Sequence, residues 1–399
     1  MRFDRSRVLR ILTRVLGLGL VAYVLVTQVR WTDSLTRKDG TVLRGVVSPT
    51  STGWRVEGSG PTGAAVAVPA DAVRVDRYGG RDIPAIAYGL PSLARRISIG
   101  PVALVLGAIF VLVVVTAWRW RWLVEALGLV LSARDAVRFT LYGMFFNLVV
   151  PGATGGDVVK AWYAAKRTGV ATKAVVSVFV DRIVGLFALV LFSAAVLFLG
   201  PQREGYGPPR LLVGIVLLGS VLGGVLVLSQ RVRGALGLSA LLRRLPFQHV
   251  LSEIDAAMRL YRRHPGSLGL GLLVSFANHA GNCLCVYVLA RAMGLDEVRL
   301  GDAFALVPVV SLLSAIPLLP GGWGVGELAF AYFFGQVGVA PSEAVGLSVV
   351  YRLANLVSGL PGGFLWIFGK EHARRADMAS EVASAEREVE REVSGAAVP

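Results

Sequence analysis

Predominantly apolar stretches long enough to cross a bilayer recur six times along the chain, at 11–29, 99–118, 172–199, 211–228, 268–290 and 344–368. A helix rises about 1.5 Å per residue and the hydrocarbon core is roughly 30 Å thick, so about 20 such residues span it. Each stretch predicts a transmembrane helix. Two further apolar runs are too short: 139–150 stops at Pro151-Gly152 and 304–319 stops at Pro320-Gly321-Gly322, each followed by a short helix. A helix that enters the membrane, breaks at Pro/Gly and returns is a re-entrant hairpin, which is tolerated only where its freed backbone groups face protein or water. Paired broken helices often mark the substrate site of a transporter.

Between the first two spans the pattern changes to alternation, as at Val66 and Val68 or Val73 and Val75, in a stretch rich in Gly, Pro and Thr. Asp39-Gly40 predicts a hairpin turn ahead of 41–47, and the size suits an SH3-like barrel. The predicted fold is an α-helical polytopic membrane protein: six transmembrane helices, two re-entrant hairpins in an inverted repeat, and a small extracytoplasmic β-barrel-like insert. The expected division is an anchor at 1–30, the β-domain at 31–97, one repeat at 98–230, a cytoplasmic amphipathic segment at 231–266, a second repeat at 267–370 and a charged cytoplasmic tail at 371–399.

The repeat appears when 135–186 is laid against 302–356. Asp135-Ala136 meets Asp302-Ala303, and Pro151-Gly152-Ala153-Thr154-Gly155-Gly156-Asp157 meets Pro320-Gly321-Gly322-Trp323-Gly324-Val325-Gly326-Glu327. Asp181-Arg182-Ile183 then meets Tyr351-Arg352-Leu353. Acid to acid and arginine to arginine, the offset is 170 in both cases (327 − 157 and 352 − 182). Resemblance between greasy helices accounts for matched leucines, but not for a matched acid and a matched arginine.

Composition agrees with lipid as solvent: of 399 residues, 54% are hydrophobic and only 17% charged, which disfavours water-soluble enzyme classes. The net charge of +15 falls in short clusters beside apolar runs and not along one soluble face, so it reads as topology and not nucleic-acid binding. The basic stretches 2–10, 119–173, 231–263 and 370–375 then share the cytoplasmic side, with both termini inside, the β-domain outside and the two repeats inverted. The anchor carries no small-residue cleavage site after its apolar run, which predicts that it is retained. The Trp-Arg-Trp-Arg-Trp run at 118–122 suits a headgroup boundary. In the amphipathic segment, Val250, Leu251, Ile254, Met258 and Tyr261 oppose Arg259, Arg262 and Arg263, as on a helix lying along the inner surface. Cys283 and Cys285, two apart in an apolar helix, point to different faces and read as packing residues.

The candidate chemistry lies in the repeats. Each copy brings a carboxylate at a Gly-rich break and an arginine inside an embedded helix: Asp157 with Arg182, and Glu327 with Arg352. Insertion scales put such a charge at about +2.5 to +3.5 kcal/mol at the helix centre, so partners are required. Asp157 is expected to pair with one of the arginines and Glu327 with the other, and such pairs either hold broken helices together or leave an arginine that exchanges its carboxylate for a lipid phosphate, which a guanidinium binds bidentately. Gly155, Gly156, Gly322, Gly324 and Gly326 permit tight turns, and the amides of the following helix starts are candidates to face an anion. Asn147, before the first break, either caps freed backbone groups or lines the cavity. Ser275, Asn278 or His279, and Asn282 share a helix face that either lines a polar path or hydrogen-bonds between helices.

At these residues the sequence resembles the flippase-like transmembrane family that includes the membrane region of lysylphosphatidylglycerol synthase, over about 98–370. The likeness is carried by Asn147 through Pro151-Gly152-Ala153-Thr154-Gly155-Gly156-Asp157 to Ala161, by Asp181-Arg182-Ile183-Val184-Gly185-Leu186, by Pro320-Gly321-Gly322-Trp323-Gly324-Val325-Gly326-Glu327, and by Arg352. The resemblance implies lipid translocation, with Asp157, Arg182, Glu327 and Arg352 at the family's acid and arginine positions. No soluble synthase domain follows 370, so aminoacyl transfer is not implied.

The expected function is therefore a flippase in the bacterial cytoplasmic membrane, without a cofactor or metal. Its expected partners are membrane lipids, an anionic phospholipid or a polyprenyl- or glycolipid, with a protein partner for the β-domain and no nucleic acid. Two rivals stand beside it. One is an integral-membrane transferase using a lipid-linked donor, for which Asp157 and Glu327 would serve as base but lack a metal-ligand grouping. The other is a scaffold whose membrane part is inert, which charges repeated within the membrane disfavour.

Overall fold

The computed structural model describes residues 31–59, 63–78, 81–149, 155–228, 261, 265–315 and 324–368. The expected anchor at 1–30, the hairpin tips at 150–154 and 316–323, nearly all of the amphipathic segment and the tail lie outside the described residues.

The chain first builds a small β-unit from β1 (Ser34–Thr36), β2 (Val42–Arg44), β3 (Val46–Thr50), β4 (Gly53–Glu57), β5 (Val66–Pro69), β6 (Val75–Tyr78), β7 (Arg81–Pro84) and β8 (Ile86–Ala87). The pairing is antiparallel throughout, in three small sheets ordered β2-β1-β8, β3-β4-β5 and β6-β7, with Arg37 and Val73 bridging between them. Asp39-Gly40 makes the expected turn. The Thr41 N–H donates to Asp39 Oδ1 at 2.8 Å, which holds that carboxyl below its ordinary range, and Gly40 takes φ 86°. Leu35, Val47, Val56, Val68, Val73 and Ile86 form the interior. Val75 does not join them: it begins the separate β6-β7 ribbon and is exposed. Buried Asp33 fastens the ends of the unit, accepting the Val47 N–H at 2.9 Å on Oδ2 and the Gly89 N–H at 2.6 Å on Oδ1.

A short helix α1 (Leu90–Arg96) leads into the helical body. There follow α2 (Ile99–Ala126), α3 (Ala133–Val149), α4 (Gly155–Thr168), α5 (Ala171–Leu199) and α6 (Gly207–Leu228), then α7 (Pro265–Ala292), α8 (Leu300–Ser314), α9 (Val325–Gly335) and α10 (Pro341–Phe368). Five of these are long and apolar enough to cross a membrane: α2, α5, α6, α7 and α10. They correspond to the five expected spans after the anchor. Exposed Leu104, Val111, Leu211, Ile215, Leu273 and Phe364 give these helices greasy outer faces, which a soluble fold would hide.

The duplication is visible element by element. In the first copy α2, α3, α4 and α5 have 28, 17, 14 and 29 residues, and in the second α7, α8, α9 and α10 have 28, 15, 11 and 28. At about 1.5 Å per residue the middle helices of each copy reach only about 25 Å or less. Packing repeats as well. Within the copies, α2 meets α3 as α7 meets α8, α3 meets α4 as α8 meets α9, and α4 meets α5 as α9 meets α10. Between them, α2 lies against α7, and each copy's first short helix packs on the other copy's last long one, α3 on α10 and α8 on α5.

Candidate functional site

Four carboxylates share one local device. Asp135, Asp157, Asp302 and Glu327 each occupy the third position of a helix that begins at Ala133, Gly155, Leu300 and Val325 respectively. In that position an acid meets the unpaired N–H groups and positive end of the helix. Asp302 accepts the Arg299 N–H at 2.9 Å, and Glu327 Oε2 accepts the Gly324 N–H at 2.5 Å. Asp135 is instead met by the Ser132 hydroxyl at 2.8 Å. Each copy thus has one such acid at the start of its first short helix and one at the start of its second.

The two outer acids tie separate elements together, Asp135 to the last turn of α4 and Asp302 to the loop before α6. Asp135 binds Arg167 at 3.0 Å, and Asp302 takes the Tyr206 hydroxyl at 2.7 Å together with Arg203, whose guanidinium also donates to the Val337 carbonyl at 3.2 Å.

The two acids after the breaks each bond one of the two arginines, and the structure pairs them within each copy, which the sequence left open. Asp157 Oδ2 lies 2.6 Å from Arg182 Nη2, and Glu327 Oε1 lies 2.5 Å from Arg352 Nε. Their settings differ. The first pair is open, with side-chain exposures of 28% for Asp157 and 39% for Arg182, whereas Glu327 is wholly buried and Arg352 is 16% exposed. Ser348 also approaches Glu327 Oε1, at 3.5 Å.

The glycines fit this geometry. Gly324 caps α9 at φ 85°, a conformation glycine adopts without strain. A Cβ on Gly326 would run into the Arg352 guanidinium and lie 2.9 Å from Ser314 Oγ. On Gly156 it would strike the Gly143 carbonyl oxygen and sit 2.7 Å from the Asn147 amide. Gly155 opens α4, and Gly322 falls outside the described residues. Asn147 acts as a cap, its Oδ1 accepting the Gly156 N–H at 2.9 Å. The amides of Gly156 and Gly324 are therefore already engaged by side chains.

On α7 the polar face is partly interhelical. Tyr351 donates to Asn282 Oδ1 at 2.7 Å, Asn282 donates to the Asn278 carbonyl at 2.8 Å, and His279 contacts the Gly185 carbonyl at 3.1 Å. Asn278 Oδ1 is buried with no partner among the described residues.

A buried charged cluster escaped the sequence reading. Arg119 of α2 reaches Asp181 of α5 through Nε and Nη2, both at 2.9 Å, and donates from Nη1 to Ser275 Oγ of α7 at 2.6 Å. Lys160 of α4 binds the other carboxylate oxygen of Asp181 at 3.3 Å and lies 4.0 Å from the ring centre of Trp120. The Trp-Arg-Trp-Arg-Trp run is thus not wholly an interfacial belt, because Arg119 and Trp120 turn into the protein. Tyr261, expected on the membrane surface, is also buried and donates to the Leu123 carbonyl at 2.8 Å. The sequence signal was three charges, Arg119, Lys160 and Asp181, on helices whose other buried residues are almost all apolar.

Long apolar helices, two sets of short helices and charges paired between them define a multi-pass helical membrane protein. The chain belongs to the family described as the lysylphosphatidylglycerol synthase TM region, whose model matches residues 83–363. It is similar to a UPF0104 membrane protein of Methanocaldococcus jannaschii, 27% identical over 221 residues, which is 54% of this chain and 89% of the relative. A second UPF0104 membrane protein, from Methanothermobacter thermautotrophicus, is 25% identical over 265 residues, 61% of this chain and 78% of the relative. No solved structure matches the chain. The family match begins at residue 83 and so takes in α1, whose Leu93 packs beneath Gly346 of α10.

Proposed function

We propose that the protein is a lipid translocase of the cytoplasmic membrane that carries an anionic or phosphate-bearing headgroup across the bilayer by alternating access. In this reading α3-α4 and α8-α9 are re-entrant hairpins of oppositely oriented copies, and the β-unit is an extracytoplasmic, SH3-like docking module. The observation that carries it is the matched pair of ion pairs, Asp157–Arg182 and Glu327–Arg352, each set between a helix start after a Gly-rich break and a long helix. Charges placed twice within an apolar body are costly, and a purely mechanical role is met more cheaply by apolar packing.

The chemistry follows from exchange. A guanidinium that bonds a carboxylate in two directions bonds a phosphate in the same way, so a headgroup can replace the acid without leaving the arginine unpaired. The acid provides the resting partner and restores it on release. Because the first pair is the more exposed, the headgroup enters there in this conformation while the Glu327–Arg352 pair stays closed; the opposite state would open the second pair and close the first. Binding energy for the headgroup need only offset one ion pair at a time.

Reconstitution in liposomes with a fluorescent anionic phospholipid tests this, reading how fast outer-leaflet quenching spreads to the inner leaflet's share. Wild-type protein is expected to accelerate translocation well above empty vesicles, and Arg182→Gln to abolish the gain while remaining folded. Consumption of a radiolabelled lipid-linked donor without any translocation would overturn the proposal in favour of a transferase.

A further inference from the structure

The exchange just described does not use the buried Arg119–Lys160–Asp181 cluster, and its charge does not balance. Among the described residues the two buried cations bond one carboxylate, with the Ser275 hydroxyl, the Asp181 carbonyl and the Trp120 ring beside them, while the neighbouring Asp157 carboxylate is taken by Arg182. An excess buried positive charge is expensive unless an anion joins it. The fold itself does not require these charges. At the same offset of 170 in the second copy (330 − 160 and 351 − 181), Lys160 is replaced by Phe330 and Asp181 by Tyr351. Helix α7 begins 166 residues after α2 (265 − 99), which puts Cys285 where α2 carries Arg119. The second copy therefore makes the same helix contacts with neutral side chains.

An open groove lies near the cluster. It has a volume of about 450 Å³ between α2 and α7 and is lined by Trp122, Glu125, Ala126, Gly266, Ser267 and Leu270. Trp122 follows Arg119 by one helical turn, and Ser267, Gly271 and Ser275 step along one face of α7 toward the cluster. Between that groove and the cluster Gly271 is closely packed, since a Cβ there would already touch Val184 and the Arg119 stem at 3.5 and 3.9 Å, so α2 and α7 must part at this point to admit a headgroup. Glu125 at the cavity wall is held by Arg121 at 2.8 Å. On the other side, Lys160 follows Asp157 by three residues on α4, so both project from one face, toward the Asp157–Arg182 pair and the cluster at once.

We propose that Lys160 and Arg119 form an anion subsite for the headgroup phosphate, in which the Lys160 ammonium leaves Asp181 to take a phosphate oxygen while Arg119 keeps Asp181 neutralised. This rests on the translocase reading and adds two cations, Lys160 and Arg119, to the Arg182 of its first half. It makes Lys160 a headgroup-binding residue and Asp181 the carboxylate that competes with the headgroup for it.

The test uses the full-length protein, in detergent for binding and in liposomes for transport. Lys160→Met removes the excess charge and leaves Arg119–Asp181 as a balanced pair, so the variant is expected to fold, to lose at least about tenfold in translocation of a fluorescent phosphatidylglycerol, and to lose the thermal stabilisation that short-chain phosphatidylglycerol gives the wild type. Lys160→Arg is expected to retain both. Asp181→Asn removes the competing charge but leaves two buried cations without their carboxylate, so it is expected to melt lower alone, to gain more stabilisation from short-chain phosphatidylglycerol than the wild type does, and to bind that lipid several-fold more tightly. Translocation and stabilisation by Lys160→Met equal to wild type would overturn the subsite while leaving the Arg182 exchange standing; so would an Asp181→Asn variant that binds no more tightly. Stabilisation by inorganic phosphate that short-chain lipid cannot reproduce would assign the subsite to the free ion and also overturn it. A wild type that translocates nothing would instead overturn the translocase reading.

Discussion

The two acid–arginine pairs have the same chemistry in different dielectric settings, and single substitutions should separate them. Glu327 is wholly buried and Arg352 nearly so, so Glu327→Gln leaves a charge without its partner, a change worth about 3–5 kcal/mol when a buried pair is broken. Asp157→Asn acts on a pair more than a quarter exposed at both ends; where that face lines a water-filled path, as the translocase reading has it, solvent screening reduces the loss to about 1 kcal/mol or less. Thermal melting should therefore fall sharply for Glu327→Gln and little for Asp157→Asn, although both are expected to stop translocation. Equal melting temperatures would mean that the difference in exposure has no energetic weight. The glycines make a similar contrast. Gly156→Ala drives a methyl into the Gly143 carbonyl of α3, which cannot swing away, whereas Gly326→Ala meets the end of the Arg352 side chain, which can move at the expense of its ion pair. Overpacking of this kind costs about 1–3 kcal/mol. The first variant should lose folded yield; the second should keep its yield and lose transport.

At the scale of elements, what was legible in the sequence was whatever has a long one-dimensional signature. The spans at 172–199 and 344–368 needed only an apolar run, and they emerged as α5 and α10 with ends within three residues. The Asp39-Gly40 hairpin needed only its turn residues. The matched acids and arginines were found because an offset is a property of the string. What stayed hidden depended on rotation about a helix axis. Arg119 and Trp120 lie in a helix that is apolar nearly all round, so no periodic pattern marked the side on which a charge would be buried, and proximity to the end of an apolar run made them look interfacial. Alternation marked Val73 and Val75 as strand-forming but not that one is buried and the other exposed, because it says which residues share a face and not where a strand leaves its sheet. Packing between elements shows the same dependence. The span expected at 344–368 runs through Pro361-Gly362-Gly363 as α10 does, but the string does not show that these small residues admit the Leu141 carbonyl and the Phe145 ring of α3. Gly362→Val should push α3 from α10, break the nearby Trp366–Tyr163 hydrogen bond of 2.9 Å, and be seen as changed tryptophan fluorescence with loss of translocation. Unaltered fluorescence and transport would show that the close approach of these helices is dispensable.

For the whole molecule, the mirrored contacts have one geometric consequence that sequence offset alone does not supply. If each copy's first short helix packs on the other copy's last long helix, as α3 does on α10 and α8 does on α5, a rotation that loosens one contact can tighten the other, as alternating access requires. That exchange serves a transporter only if the two hairpins open to opposite sides of the membrane. Orientation is therefore the property on which the mechanism stands, and it is set by charge: basic residues gather at the ends of α2 and α4, while the loop entering α6 and the β-unit lie at the other ends of the long helices. Single cysteines can read it, because native Cys283 and Cys285 are buried and should react slowly. Ser51→Cys in the turn between β3 and β4 and Gln202→Cys before α6, both at exposed positions, are expected to be labelled by an impermeant maleimide on intact cells. Arg134→Cys at the start of the α3-α4 hairpin, also exposed, should react only after the membrane is opened. If Arg134→Cys were labelled from the same side as Gln202→Cys, the hairpins would face one way and the copies could not be inverted. The two ion pairs would then serve one compartment, and a headgroup released from the second would have gone nowhere.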